Sequence, residues 1–219
     1  MFKNKTDFGF IVGVKEEYNA LKNTKYEVKI AYGAKNASKA AKILCKKVEC
    51  IVSFGFAGSI DSKLTNGEII IPKFLIGKNK KKKFLSSKHR STILRKLSKQ
   101  EVNEKGIISV DKIINENESK KRIYEKFKAS SIDMESDSIY KICYEKRIPL
   151  IIVRVIFDDL NFNIPNFVIK STNSNGDISI TSLLKFVLTS PKNFFILVRL
   201  YLYYLRAIRK LKEISKQCF

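Results

Sequence analysis

The chain has no tryptophan, one histidine and four cysteines among 219 residues. A single histidine, His89, set in a basic stretch, argues against a Ser–His–Asp triad and against a histidine-built metal site. Cys45, Cys50, Cys143 and Cys218 form no CxxC pair and no zinc spacing, which is the usage of a reduced, cytoplasmic chain with buried thiols. No run of 18 uncharged apolar residues occurs, so a transmembrane helix is not expected. The opening MFKNKTDFGFIVGV carries Asp7 inside its apolar run and lacks a small-residue cleavage site. It reads as a first strand rather than a signal peptide. Neither GxxxxGK[ST] nor GxGxxG is present, which removes the two common phosphate-cradling loops.

Acids are also scarce, with 21 Asp and Glu against 43 Lys and Arg for a net charge of +22. Such a balance points to nucleic acid or an anionic membrane, although a Lys-, Ile- and Asn-rich composition also follows from an AT-rich genome. The segment Gly77–Lys99, GKNKKKKFLSSKHRSTILRKLSK, holds ten basic residues and no acid. It reads as a solvated loop leading into a helix, or as a patch for phosphate groups or lipid headgroups. The run Lys78–Lys83 contains no aromatic, which weighs against nucleic acid.

Against this background the acids cluster at strand ends. Residues 8–14, 26–32 and 50–60 read as strands, the last running into a Gly-rich turn, Gly55–Gly58. Further strands fall at 67–76, with Pro72 marking a bulge or edge, at 105–114, just before the helix 136–146, and at 150–157. Helices are expected at 37–47, 91–99, 117–128 (with Asn117 as a cap), 136–146 and on either side of Pro191. Residues 161–180 read as a loop. Strands alternating with helices, several of them unbroken apolar runs, make an α/β sandwich with a largely parallel central sheet in one domain. Ligands of such sheets sit at the carboxyl ends of strands, where Glu16, Glu17, Asp158 and Asp159 stand.

The stretch IDMESDSIYKICYEKRIPLIIVRVIFDD, Ile132 to Asp159, carries acids at both ends of one helix–strand unit. An acid at a sheet mouth has its pKa raised by desolvation and can serve as a general acid near neutral pH. It can equally cap a helix or sit in a solvated loop. Glu135 either favours a helix N-terminus through the dipole or accepts two adjacent hydroxyls, as in a ribose. Asp133 and Asp137 read as residues that favour the helix start.

Together these pieces resemble the purine nucleoside phosphorylase/uridine phosphorylase superfamily, nearest to the hopanoid-associated nucleoside phosphorylases and the methylthioadenosine/S-adenosylhomocysteine nucleosidases. The resemblance rests on IVGVKEEYNAL, IVSFGFAGSIDSKLTNGEIIIP, GIISVDKII, IDMES, VRVIFDD and the C-terminal SPKNFFILVRLYLYYLRAIRKL, in family order over nearly the whole chain. It implies a three-layer sandwich with a mixed, largely parallel sheet, as in nucleoside phosphorylases, forming one domain over 1–219 with a basic helical tail at about 192–216. It also implies cleavage of the N-glycosidic bond of an adenosine-type purine nucleoside, lipid-linked in the hopanoid branch.

Asp158 is then expected to protonate the leaving base, and Glu17 to orient the attacking water. Glu135 would hold the ribose hydroxyls, with Met134 beneath the sugar. Gly58, Ala57, Phe157 and Ser109 would complete the substrate site. Phe157 stands where the family often has Ser before the acid, and the first strand and Gly-rich turn carry no phosphate-binding Arg. Lys35 and Arg154 are the alternatives for that task, although Arg154 lies within a strand and reads as structural. No cofactor or metal is expected, and phosphate is an open co-substrate. A homodimer is implied by the family alone. Nucleic acid is not an expected partner. A catalytically inactive family member, and a basic protein that binds nucleic acid or membrane, are the competing readings. The tail holds seven basic residues and one acid across 192–216. It reads as a helix packed on the sheet or as a basic amphipathic helix on the inner face of a membrane.

Overall fold

The computed structural model describes residues 5–171 and 191–219. Among these residues, ten strands form one mixed, mostly parallel sheet. They are β1 (Thr6–Val12), β2 (Glu27–Ile30), β3 (Val48–Ser59), β4 (Ile69–Ile70), β5 (Phe74–Ile76), β6 (Lys82–Phe84), β7 (Val102–Asn103), β8 (Gly106–Ser109), β9 (Ala129–Asp133) and β10 (Leu150–Asp158). The helices are α1 (Lys15–Leu21), α2 (Gly33–Leu44), α3 (Ser87–Lys96), α4 (Asn117–Phe127), α5 (Ser136–Lys146), α6 (Asn166–Ser171) and α7 (Pro191–Cys218).

β3 is the axis of the molecule. Its first half pairs in parallel with β1, most of its length pairs in parallel with β10, and its end pairs antiparallel with β9. Being covered on both faces, β3 and β10 are mostly apolar, as central parallel strands tend to be. Cys50, Val52, Phe54, Ile151, Val153 and Val155 face one core, with Leu21 of α1, Ile93 of α3 and Ala207, Ile208, Leu211 and Ile214 of α7. Ile51, Ala57, Leu150 and Ile152 face the other, with Ala37, Ala40, Ala41 and Leu44 of α2 and Ile139, Ile142 and Cys143 of α5. The result is three layers, helix–sheet–helix. A smaller core holds α4 against β8 and β9.

Several expectations change. The glycines 55–58 lie inside β3 rather than in a turn. The run 67–76 is two strands, β4 and β5, separated by Pro72, and they pair with different neighbours, β10 and β7 for one and β8 and β6 for the other. Pro72 cannot donate to a ladder, so the chain changes partners there. The run 105–114 yields a short strand, Gly106–Ser109, preceded by β7. The stretch 161–180 contains the helix Asn166–Ser171, and the helix expected just before Pro191 lies outside the described residues. Gly33–Asn36 forms the first turn of α2, and Asn117 lies inside α4, whose N-cap is Glu116.

All four cysteines are free and buried. Within the basic segment, Lys78 pairs with Asp111, Lys83 with Asp137 and Arg90 with Glu104, so part of its charge is neutralised locally. Among the described residues no helix is long and apolar enough to cross a membrane.

Candidate active site

α1 begins directly after β1, and Glu17 is its third residue, so its side chain turns back over the helix start. Its Oε2 accepts the amides of Gly13 at 2.6 Å and Val14 at 3.1 Å, and its Oε1 accepts the Phe56 amide at 2.7 Å. Three backbone donors thus fix one buried carboxylate between β1 and β3. Burial nevertheless raises its pKa, against the pull of the Phe56 amide and Arg154. The carboxyl group occupies the space a side chain at residue 55 would need, which is why that position is glycine.

Arg154 reaches the same place from β10. It is buried, and its Nη2 donates to Asp133 at 2.7 Å, to Ser53 at 2.7 Å and to Ser136 at 3.2 Å. Asp133 in turn accepts the Ser136 amide and hydroxyl at the start of α5. The helix-start role expected of Asp133 is therefore present, and the same carboxylate anchors a buried guanidinium. Asp137 is buried between Lys83 and Lys141.

Glu135 sits at the N-cap of α5, and its Oε1 accepts the Gly33 amide at 3.0 Å from the start of α2. Burial, with Asp133 and Glu17 nearby, pushes its pKa up to about 7 in spite of Arg154. Glu17, Glu135 and Arg154, with Ser53, Gly55 and Phe56, line a cavity of about 20 Å³. Met134 is half-buried beside Glu135.

Asp158 lies four residues beyond Arg154 on β10, opposite a point three positions further along β3. Arg154 pairs with Gly55 and Asp158 with Gly58, a spacing of about 10 Å at about 3.3 Å per residue. The register slips between them, because Ile156 pairs with Ala57 while Asp158 pairs with Gly58. Phe157 is therefore the extra residue of a bulge. Bulges at strand ends re-aim the neighbouring side chain. The Phe157 ring packs on Phe56 at 5.5 Å between centroids. Asp158 lies against Gly58, where a Cβ would sit 2.9 Å from its Oδ1. Its other oxygen accepts Lys120 Nζ at 2.7 Å. Burial raises its pKa against the opposing Lys120 charge. The adjacent Asp159 is occupied differently, accepting the amides of Asn66, Asn161 and Phe162 as a loop anchor.

Of the residues expected from sequence, Glu17, Glu135, Met134, Gly58, Phe157 and Asp158 thus lie along one strip at the ends of β1, β3, β9 and β10. Ala57 faces the second core. Ser109 is buried, and its hydroxyl accepts the Asp137 amide under α5, outside this strip. Arg154, which the sequence offered as an alternative phosphate ligand while reading as structural, joins the strip, and so does Lys120, which was not expected there. Arg154 lies in an apolar run, and an arginine inside a buried strand is itself a signal of a partnered site. Lys120, one of two adjacent lysines in a polar helix, gives no such signal. Among the described residues no group of His, Cys, Asp and Glu has the geometry to hold a metal.

Comparison with known proteins identifies the family and the fold. A family model described as the phosphorylase superfamily matches residues 20–188. A 5′-methylthioadenosine/S-adenosylhomocysteine nucleosidase from Buchnera aphidicola subsp. Acyrthosiphon pisum (strain Tuc7) is 34% identical over 182 residues, covering 73% of this chain and 76% of that protein. The nucleosidase of that name from Helicobacter pylori, solved with butyl-thio-DADMe-Immucillin-A, superposes with a TM-score of 0.67 at 16% identity, covering 98% of this chain and 99% of that one. Native futalosine hydrolase of Helicobacter pylori strain 26695 gives 0.65 at 16% identity, covering 96% and 97%. At these structural identities the likeness concerns the fold.

Proposed function

The chain belongs to the phosphorylase superfamily, and on that premise we propose that it is a nucleosidase that hydrolyses the N-glycosidic bond of a 5′-methylthioadenosine- or S-adenosylhomocysteine-type nucleoside. The observation that carries this reading is the grouping of Glu17, Glu135 and Arg154 around a cavity of about 20 Å³. That volume suits one water. The lining favours water as well, because Glu17 and Glu135 stand on it while the cation beside them, Arg154, is paired with Asp133.

The chemistry follows from the strip. Asp158, protonated, gives its proton to a ring nitrogen of the purine, and the C1′–N bonding pair leaves with the base. The sugar passes through an oxocarbenium-like state, as in glycoside hydrolysis. Water attacks C1′ and loses its proton to the Glu17 carboxylate, whose raised pKa makes it a better base. Glu135 accepts the ribose hydroxyls above Met134, and Gly58 and Phe157 flank the base. The spacing of about 10 Å between the Gly55 and Gly58 levels accommodates a ribose and a purine in line. The test is adenine release from 5′-methylthioadenosine and S-adenosylhomocysteine, with and without phosphate. Release is expected without phosphate, and Asp158→Asn should lower kcat by about 10²-fold or more. Phosphate-dependent release, or an Asp158→Asn protein with full activity, refutes this mechanism.

A lipid-linked nucleoside, as in the hopanoid-associated branch, is the second substrate reading, and α7 supports it. The helix's second half is in the core through Ala207, Ile208, Leu211 and Ile214, whereas Phe194, Phe195, Val198, Tyr201 and Leu202 of the first half are exposed. Arg206, Arg209, Lys212 and Lys216 continue the exposed side toward the C-terminus. An aromatic–aliphatic half followed by a basic half suits an anionic lipid surface. Flotation with phosphatidylserine-containing vesicles should recover the protein at low salt. Replacement of Phe194, Phe195, Tyr201 and Leu202 by Ser should abolish recovery, and salt-insensitive or absent binding refutes the surface.

A further inference from the structure

Lys120 is completely buried, an uncommon state for lysine. Its ammonium lies 2.7 Å from Asp158 Oδ2 and 2.9 Å from Asn163 Oδ1. Asn163 donates to Asn117 at 2.9 Å, and Asn117 donates to the Leu160 carbonyl at 2.9 Å. Asn117 and Lys120 are three residues apart, hence on one face of α4. That face clasps the chain leaving β10, at Leu160 and Asn163, and holds Asp158 at the strand end. The preceding residue, Phe157, has no hydrogen-bonding side chain. The charged groups acting on Asp158 are Lys120 from α4 and its neighbour Asp159.

We propose that Lys120 is the positioning residue of the general acid. It holds Oδ2 of Asp158 as the acceptor, leaves Oδ1 on the Gly58 side as the oxygen that carries the proton, and stabilises the carboxylate formed when that proton moves to the base. This rests on the nucleosidase reading. Before the step the carboxyl group is neutral and the pair is an ion–dipole contact. After it the pair is a full ion pair in a buried place. The interaction is therefore strongest as negative charge develops on Asp158, which is where a fixed cation accelerates a reaction. Proton and electron balance are complete, because Lys120 keeps its own protons throughout.

The experiment uses Lys120→Met, Lys120→Arg and Asn163→Ala in the full chain. The pH dependence of kcat/KM is measured alongside infrared titration of the Asp158 carboxyl group, assigned with Asp158→Asn and ¹³C-labelled aspartate. Without the ammonium the carboxylate is less favoured, so Lys120→Met should shift the Asp158 titration and the alkaline limb of activity to higher pH. It should also lower kcat by about tenfold or more, part of the range general acid catalysis supplies. Lys120→Arg should restore the wild-type limb in large part, and Asn163→Ala should lower kcat with a smaller displacement. A carboxyl titration unmoved in Lys120→Met refutes the proposal. If that variant does not fold, a wild-type limb and kcat in Asn163→Ala refute it. Wild-type protein that releases no adenine refutes the nucleosidase reading instead, since the infrared midpoint is read without turnover.

Discussion

Glu135 makes stability depend on pH in an unusual direction. Its pKa in the folded protein is about 7 against an ordinary 4.5, so folding takes up a proton between those values. The sign follows directly. The contribution is fully present below about 4.5, where Glu135 is protonated in both states, and is lost as pH rises through about 7. At about 1.4 kcal/mol per pH unit the loss is about 3 kcal/mol, an upper limit because the residue is partly open to solvent. Glu135→Gln mimics the protonated form and removes the term. Urea denaturation at pH 4.5, 6, 7 and 8 should show the variant and wild type equal at the acid end, with the variant more stable by up to about 3 kcal/mol at pH 8. Glu17, relieved of a neighbouring charge, adds a smaller change of the same sign. On the proposed mechanism the gain should come with lost catalysis, since an amide replaces the anionic group proposed to accept the ribose hydroxyls. Wild-type KM should fall as pH rises through about 7, where that acceptor ionises. A stability difference between variant and wild type that is constant with pH refutes the assignment of a raised pKa to Glu135.

Gly55→Ala would place a methyl group on the Glu17 carboxyl in a backbone conformation that L-residues rarely adopt. A loss of more than about 1 kcal/mol in stability is expected, with greatly reduced adenine release, and near-normal turnover would argue against Glu17 as the base. Arg154→Met leaves Asp133 buried and uncompensated, a cost of about 3–5 kcal/mol. The double variant Asp133→Asn/Arg154→Met should recover much of that stability in a denaturation cycle, and additive losses would show that the pair is not coupled. Leu211→Ala, in the buried half of α7, should cost about 2–5 kcal/mol by urea denaturation. A loss below about 1 kcal/mol would mean that the helix is not an integral wall of the first core.

Where hydrophobic period and caps agree, the sequence was enough to place elements. The helix Ser136–Lys146 has the bounds its pattern predicts, and the strand 150–157 extends by one residue. Legibility failed where the reason for a residue type lies across the sheet. Gly55 and Gly58 look like turn residues when read along the chain. In space they are strand residues whose missing side chains are replaced by the carboxyl groups of Glu17 and Asp158. Those carboxyl groups come from elements 38 residues upstream and 100 residues downstream, so no local pattern announces them. The split of 67–76 has the same origin, since nothing in GEIIIPKFLI says that its two halves pair with different strands.

The candidate site divides along the same line. Carboxylates at strand ends were legible because a chain with two bases per acid spends few acids on chance positions. Their partners were not. Arg154 reads as an interruption of an apolar strand until Asp133, Ser53 and Ser136 are seen around it. Phe157 reads as a misfit beside an acid until the register shows it to be the bulged residue packed on Phe56. Asp158 then lacks a donor from its own strand's side chains and receives one from α4 instead, 38 residues away in sequence. A carboxyl group can be supported by a neighbour along the chain or by one across a packing interface. The second arrangement makes the acid depend on how α4 docks against the segment after β10, where Asn117 holds Leu160 and Asn163. On the proposed mechanism, substitutions along that seam should therefore alter the proton-donating step before they alter nucleoside binding, and the separation of kcat from KM is the quantity that tests it.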